Sequence, residues 1–222
     1  MVRFKVCCIQ DVAEAELALD HGASAIGLVS AMPSGPGPIS DERIREVATW
    51  ATPRTRTFLL TSQSSAKAIG AQVVAAGANT VQIVDALPHG ALRALRAIVP
   101  TVRLVQVIHV RGPEAHEEAM QVAPLVDELL LDSGNPNAAV KELGGTGRVH
   151  DWQVSRRIVR DAGVQVWLAG GLRPENVREA VRAVRPHGVD VCSGLRVDGR
   201  LRPELLRRFA SALAEASGAP LT

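Results

Sequence analysis

The chain has 222 residues, 46% of them apolar and 22% charged, with a formal net charge of +2. This is the composition of a soluble globular protein, and the charge is too small to argue for nucleic acid or a membrane surface as a partner. Three Trp, three Phe and no Tyr offer little for base stacking, and the arginines are scattered rather than clustered.

The N-terminal stretch Met1–Lys5 runs into a strand pattern with no signal-peptide character, and no apolar run approaches the length of a membrane span. Three cysteines, two of them the adjacent Cys7 and Cys8, make a poor disulfide framework. Neighbours on a strand point to opposite faces, so a Cys7–Cys8 bridge would distort the backbone. Reduced thiols and a cytoplasmic location are the expectation.

One pattern repeats along the chain: a short β-branched apolar run, then an Ala/Leu/Glu/Arg stretch at helical spacing. Strands are predicted at Phe4–Ile9, Ser24–Val29, Thr55–Leu60, Thr80–Val84, Val102–Val110, Glu128–Leu131, Gln165–Ala169 and Val189–Cys192. Helices are predicted between and after them at Val12–His21, Asp41–Ala51, Ser64–Ala76, His89–Val99, Pro113–Val122, Asp151–Asp161, Pro174–Val184 and Pro203–Ala216. Gly22, Gly77 and Gly163 each separate a helix from the next strand, and Pro174 and Pro203 sit at helix starts. Eight β-then-α units with no linker predict an α/β fold, a single (β/α)8 TIM barrel spanning residues 1–222. An open doubly wound sheet is the competing architecture, and the lack of an obvious edge strand favours closure.

In such a barrel, reacting groups belong at the carboxyl ends of the strands. Three glycine-bearing segments follow the last three strands: LGGTGRVHDW, LAGGLRPENV and VDVCSGLR. Gly170 and Gly171, with Ser193 and Gly194 one unit later, form a candidate phosphate cradle of backbone amides, with Gly145 a weaker candidate contact. Cys7 at the top of the first strand and Asp132 at the end of the sixth (LLLDS) face the same mouth. Each alone reads as a core thiol or a loop cap; together, beside a phosphate site, they read as a base and an acid.

KVCCIQDVAEAELALDHGASAIGLV, LLLDS, GGTGRVHDW, LAGGLRPENV and GVDVCSGL, in that order and spacing, resemble the signature segments of the phosphoribosylanthranilate isomerase family of tryptophan biosynthesis. The resemblance implies a cofactor-free, metal-free Amadori rearrangement of a small phosphorylated sugar substrate. It places the base on Cys7 and the acid on Asp132. It also implies a cytoplasmic enzyme that is a monomer or a homodimer. The chemistry asks that Cys7 be partly thiolate, with Lys5 a candidate cause, and that Asp132 hold a proton near neutral pH. Cys8, where the family has glycine, is predicted by strand alternation to point to the opposite face and pack.

The segment departs from the family's pattern at four places. Gly37, in SAMPSGPGPIS, stands where the family carries an arginine, and Val84, in Gln82-Ile83-Val84-Asp85, where it carries a histidine. Cys8 replaces a glycine, and Arg196 an acidic residue. Arg111 and His109, after the fifth strand, and Arg196 are the candidate replacements at the aromatic-carboxylate end. A paralogue isomerising a different phosphorylated sugar and a catalytically silent sugar-phosphate-binding barrel are the alternatives.

Overall fold

A computed structural model of the chain describes residues 2–33, 35–134 and 150–216. Eight parallel strands close into a barrel: β1 Arg3–Val6, β2 Ala25–Val29, β3 Arg56–Thr61, β4 Thr80–Ile83, β5 Arg103–His109, β6 Glu128–Asp132, β7 Gln165–Leu168 and β8 Gly188–Val191. Each pairs with its neighbour in sequence, and β8 closes on β1 with Lys5 beside Asp190 and Val6 beside Val191. The helices around it are α1 Val12–Asp20, α2 Asp41–Ala51, α3 Ala66–Ala76, α4 His89–Ile98, α5 Glu114–Val122, α6 Trp152–Asp161, α7 Val177–Val184 and α8 Pro203–Ala216.

The predicted elements are all present, with shifted ends. Helix α7 starts at Val177 rather than Pro174, because residues 174–176 form a turn in which Asn176 Oδ1 accepts from the Arg173 N–H at 2.9 Å. Ser40, Ser65 and Asp151 cap α2, α3 and α6, each side chain accepting a backbone N–H of the first turn. Gly77 ends α3 in the left-handed conformation, φ +71°. A small antiparallel ribbon, β9 Arg196–Val197 with β10 Arg200–Leu201, follows β8 and was not anticipated from the sequence. Its strands are two residues long, too short to show a period.

Strand alternation divides the apolar residues into two cores. Ile26, Leu28, Leu59, Val81, Leu104, Leu129, Leu131, Leu168 and Val189 face the helices. Phe58, Val105, Val107, Leu130 and Trp167 fill the barrel interior. The floor of the barrel is polar and tightly tied. Buried Glu128 accepts from Arg56 Nη1 at 2.9 Å, Arg103 Nε at 3.1 Å and Trp167 Nε1 at 2.5 Å. The Phe58 and Trp167 rings meet edge to face at 5.8 Å. A strand glycine is required opposite them: a Cβ on Gly188 would lie 2.5 Å from the Trp167 ring. Held by Glu128 and Phe58, that ring has nowhere to go. Gly188→Ala is therefore expected to destabilise the fold by about 1–3 kcal/mol, read as a lower urea midpoint at unchanged m-value.

Candidate active site

The chemistry-bearing groups gather at the opposite end of the barrel from Glu128. Beneath them lies a buried ion pair: Lys5 Nζ donates to Asp190 Oδ2 at 2.6 Å, with Lys5 fully buried and Asp190 7% exposed. Lys5 also lies 5.1 Å from the Phe58 ring centre. Burial is the largest effect and works against its charge, but Asp190, Cys7 and Cys8 together outweigh it and hold Lys5 above its ordinary value. Room for the Lys5 stem comes from Gly27 on β2, where a Cβ would lie 3.0 Å from Lys5 Cε and 2.8 Å from Cys7 Sγ.

Cys7 follows β1 and stays attached to β8 through its N–H, which donates to Val191 O at 2.8 Å. Its thiol is held below its ordinary value, first by a hydrogen bond from the Cys8 thiol and then by the Lys5 charge, against the opposing effect of burial. Asp132 ends β6. Burial raises its carboxyl above the ordinary carboxylate range, partly countered by the Ser133 N–H donating to Oδ1 at 2.7 Å. Cys7 and Asp132 both also feel the charges of Lys5 and Asp190, so one buried pair touches both.

The structure corrects the reading of Cys8. The residue does not continue the strand: its φ is +62°, in the left-handed region that costs a side chain about 1–2 kcal/mol. The turn carries its side chain into the barrel interior, and Cys192 Sγ lies 2.6 Å from Cys8 Sγ. The turn also constrains Gly37. A Cβ on Gly37 would fall 2.5 Å from Cys8 Cβ, so a side chain at 8 requires none at 37.

His109 extends into the mouth from the end of β5, where it pairs with Asp132. Its Nε2–H donates to Val84 O at 2.9 Å, and its buried Nδ1 has no partner among the described residues. Arg196 is committed elsewhere. Its guanidinium bridges Glu14 at 2.8 Å and the carbonyl oxygen of Cys8 at 2.7 Å, binding the β8 loop to the end of β1. Arg111 is exposed on the loop after β5.

The glycine loops lie as predicted behind β7 and β8. Gly170 and Gly171 have φ of +88° and +62°, and Asn176 Nδ2 donates to Gly171 O at 2.9 Å. Ser193 and Gly194 form a 3₁₀ turn, and a Cβ on Gly194 would lie 2.0 Å from Leu172 O, so the two loops touch where a side chain would separate them. Gly145 lies outside the described residues. Among the described residues, no three His, Cys, Asp or Glu side chains are grouped to hold a metal ion. Asp190 was missed in the sequence, although a lone carboxylate in VDVC at the same parity as the interior of β8 was the available signal.

A family model described as N-(5'phosphoribosyl)anthranilate (PRA) isomerase matches residues 4–212. The chain belongs to this isomerase family. It is 34% identical over 205 residues to N-(5'-phosphoribosyl)anthranilate isomerase 2 of Methanosarcina mazei, covering 92% of this chain and 90% of the relative. The solved N-(5'-phosphoribosyl)anthranilate isomerase of Pyrococcus furiosus superposes with a TM-score of 0.80 at 25% identity, covering 97% of this chain and all of that one. A further solved phosphoribosylanthranilate isomerase matches with a TM-score of 0.77 at 25% identity, over 97% of this chain and 100% of its own. That structure is a complex with reduced 1-(o-carboxyphenylamino)-1-deoxyribulose 5-phosphate.

In this member of the family, the Lys5–Asp190 pair is expected to be both a structural and an electrostatic requirement. Lys5→Met leaves Asp190 buried without its partner and should cost about 3–5 kcal/mol in denaturant titration. The same variant should move the thiol titration of Cys7 to higher pH, measured by thiolate absorbance in a Cys8→Ser/Cys192→Ser background compared with and without Lys5.

Proposed function

We infer that the chain isomerises N-(5-phosphoribosyl)anthranilate to 1-(o-carboxyphenylamino)-1-deoxyribulose 5-phosphate, a step of tryptophan biosynthesis, with Asp132 as acid and Cys7 as base. The observation that carries the assignment of roles is the opposite displacement of these two groups: a thiol pulled down and a carboxyl pushed up by one buried neighbourhood. Family membership supports the reaction and substrate class.

In this reading Asp132 gives its proton to the ribose ring oxygen, and the C1–O bond breaks to leave a protonated Schiff base. The Cys7 thiolate removes the C2 proton, and the electron pair flows toward the nitrogen to form the enolamine. Ketonisation adds a proton at C1 and releases that of the C2 hydroxyl, returning both protein groups to their starting states. The amides around Gly170, Gly171, Ser193 and Gly194 hold the phosphate, which fixes C1 and C2 against the two groups. At the anthranilate end, where Gly37 leaves no cation, Arg111 meets the carboxylate and His109 offers its spare nitrogen. Arg196 serves by holding Cys8 and the β8 loop in place. With a small phosphorylated metabolite as substrate and three free thiols, the cytoplasm is the fitting location, as a monomer or homodimer.

The signs of the pH dependence follow. Turnover falls on the acid side as Cys7 takes up a proton and on the alkaline side as Asp132 loses its own. A steady-state assay following the loss of substrate fluorescence tests the roles directly. Cys7→Ala and Asp132→Asn are each expected to lower kcat about 10²–10⁴-fold with the fold intact. Arg111→Ala is expected to raise KM with kcat little changed. Full activity in either of the first two variants would remove that residue from its role.

A further inference from the structure

The isomerase chemistry uses one of the three thiols, and the other two are in contact. Cys192 Sγ and Cys8 Sγ are 2.6 Å apart, closer than two non-bonded sulfur atoms rest. We propose that Cys8 and Cys192 are a reversible disulfide site, closed by a hydroperoxide and opened by a thiol reductant, at the shoulder of the catalytic base.

The backbone sets this pair up. Parallel pairing of β1 with β8 aligns Lys5 with Asp190 and Val6 with Val191, and the Cys7 N–H to Val191 O bond continues the pairing past both strand ends. That register puts Cys192 level with Cys7, one residue short of Cys8. The left-handed turn at Cys8 then swings its side chain toward the β8 side instead of out toward the helices. Two hydrogen bonds to its carbonyl, from Gln10 Nε2 at 3.0 Å and Arg196 Nη2 at 2.7 Å, hold that turn. A disulfide needs sulfurs about 2.05 Å apart, so closure asks for a movement of about half an ångström between strands already paired. The barrel need not open to make the bond.

Access decides which sulfur reacts first. Cys7 and Cys8 are buried, whereas Cys192 is partly exposed. Cys192 attacks one oxygen of a hydroperoxide: an S–O bond forms, the O–O bond breaks, and the departing oxygen takes the proton given up by the Cys192 thiol to leave as the alcohol, or as water from hydrogen peroxide. Cys8 sulfur then attacks Cys192 sulfur. The S–S bond forms, the S–O bond breaks, and the hydroxide leaves as water with the Cys8 proton. Two thiols lose two electrons and the peroxide gains them. The bond also takes from Cys8 the S–H that it donates to Pro36 O at 3.5 Å, and it changes the residue next to the base in sequence from a thiol to a disulfide. Turnover is expected to fall on closure and to return on reduction.

The test treats the folded protein with hydrogen peroxide, blocks remaining thiols with N-ethylmaleimide under denaturing conditions, and maps peptides by mass without reduction. The expected result is one alkylatable thiol in place of three, with Cys8 joined to Cys192 and turnover restored by dithiothreitol. Cys7→Ser should still form the link, and Cys192→Ser should keep its turnover through the same treatment. Three alkylatable thiols, or a link that contains Cys7, overturns the proposal. The peptide map of the wild-type protein needs no variant to fold, and it reads the bond whatever reaction the enzyme catalyses.

Discussion

The Lys5–Asp190 pair is the constraint on which the catalytic end of the barrel rests. A buried lysine is costly unless a carboxylate meets it at hydrogen-bond distance, and here the two meet at 2.6 Å across the β1–β8 seam that closes the barrel. The seam and the ion pair are one feature: lose the register and both charges lie buried without a partner. Gly27 keeps the neighbouring strand clear of the lysine stem, and Phe58 presents its ring to the ammonium. Above this pair sit Cys7, Asp132 and His109, and the charges of the pair reach the first two.

The two ends of the barrel use buried charge for different ends. At the floor, Glu128 spends its oxygens on Arg56, Arg103 and Trp167, and every partner belongs to a strand. That arrangement ties β3, β5, β6 and β7 together, although Arg56 Nε and His187 Nε2 beside it are buried with no hydrogen-bond partner among the described residues. At the mouth, Asp190 Oδ1, Gln82 Oε1 and His109 Nδ1 are likewise buried with no partner among the described residues. Unsatisfied polar atoms cost stability, and those at the mouth lie where the polar groups of a ligand would meet them.

Much of the architecture was legible in the chain itself. Most strand runs carry β-branched residues, several helices have glycine, serine or aspartate punctuation, and eight repeats leave little besides a closed barrel. Cys7, Asp132 and the glycine loops were legible for the same reason, since they fall where strands end. The misreadings have physical causes. Alternation was extended to Cys8, two residues past the strand, where a left-handed turn replaces it. Arg196 was read as a free cation because its partners, Glu14 and the Cys8 carbonyl, are distant in sequence and near only once β8 meets β1. Asp190 escaped notice because its partner Lys5 lies 185 positions away.

Cys8 and Gly37 are a matched pair, because a side chain at 8 leaves no room for one at 37. The central claim is that Cys7, held as a thiolate by its neighbours, is the base. The most direct measurement compares the pH dependence of kcat/KM with that of Cys7 alkylation by iodoacetamide in the same protein. The account expects the acid limb of activity and the alkylation profile to share one pKa, below the ordinary thiol range, with activity lost in step with modification. Turnover that survives complete alkylation of Cys7, or an acid limb that does not follow the thiol, would contradict it.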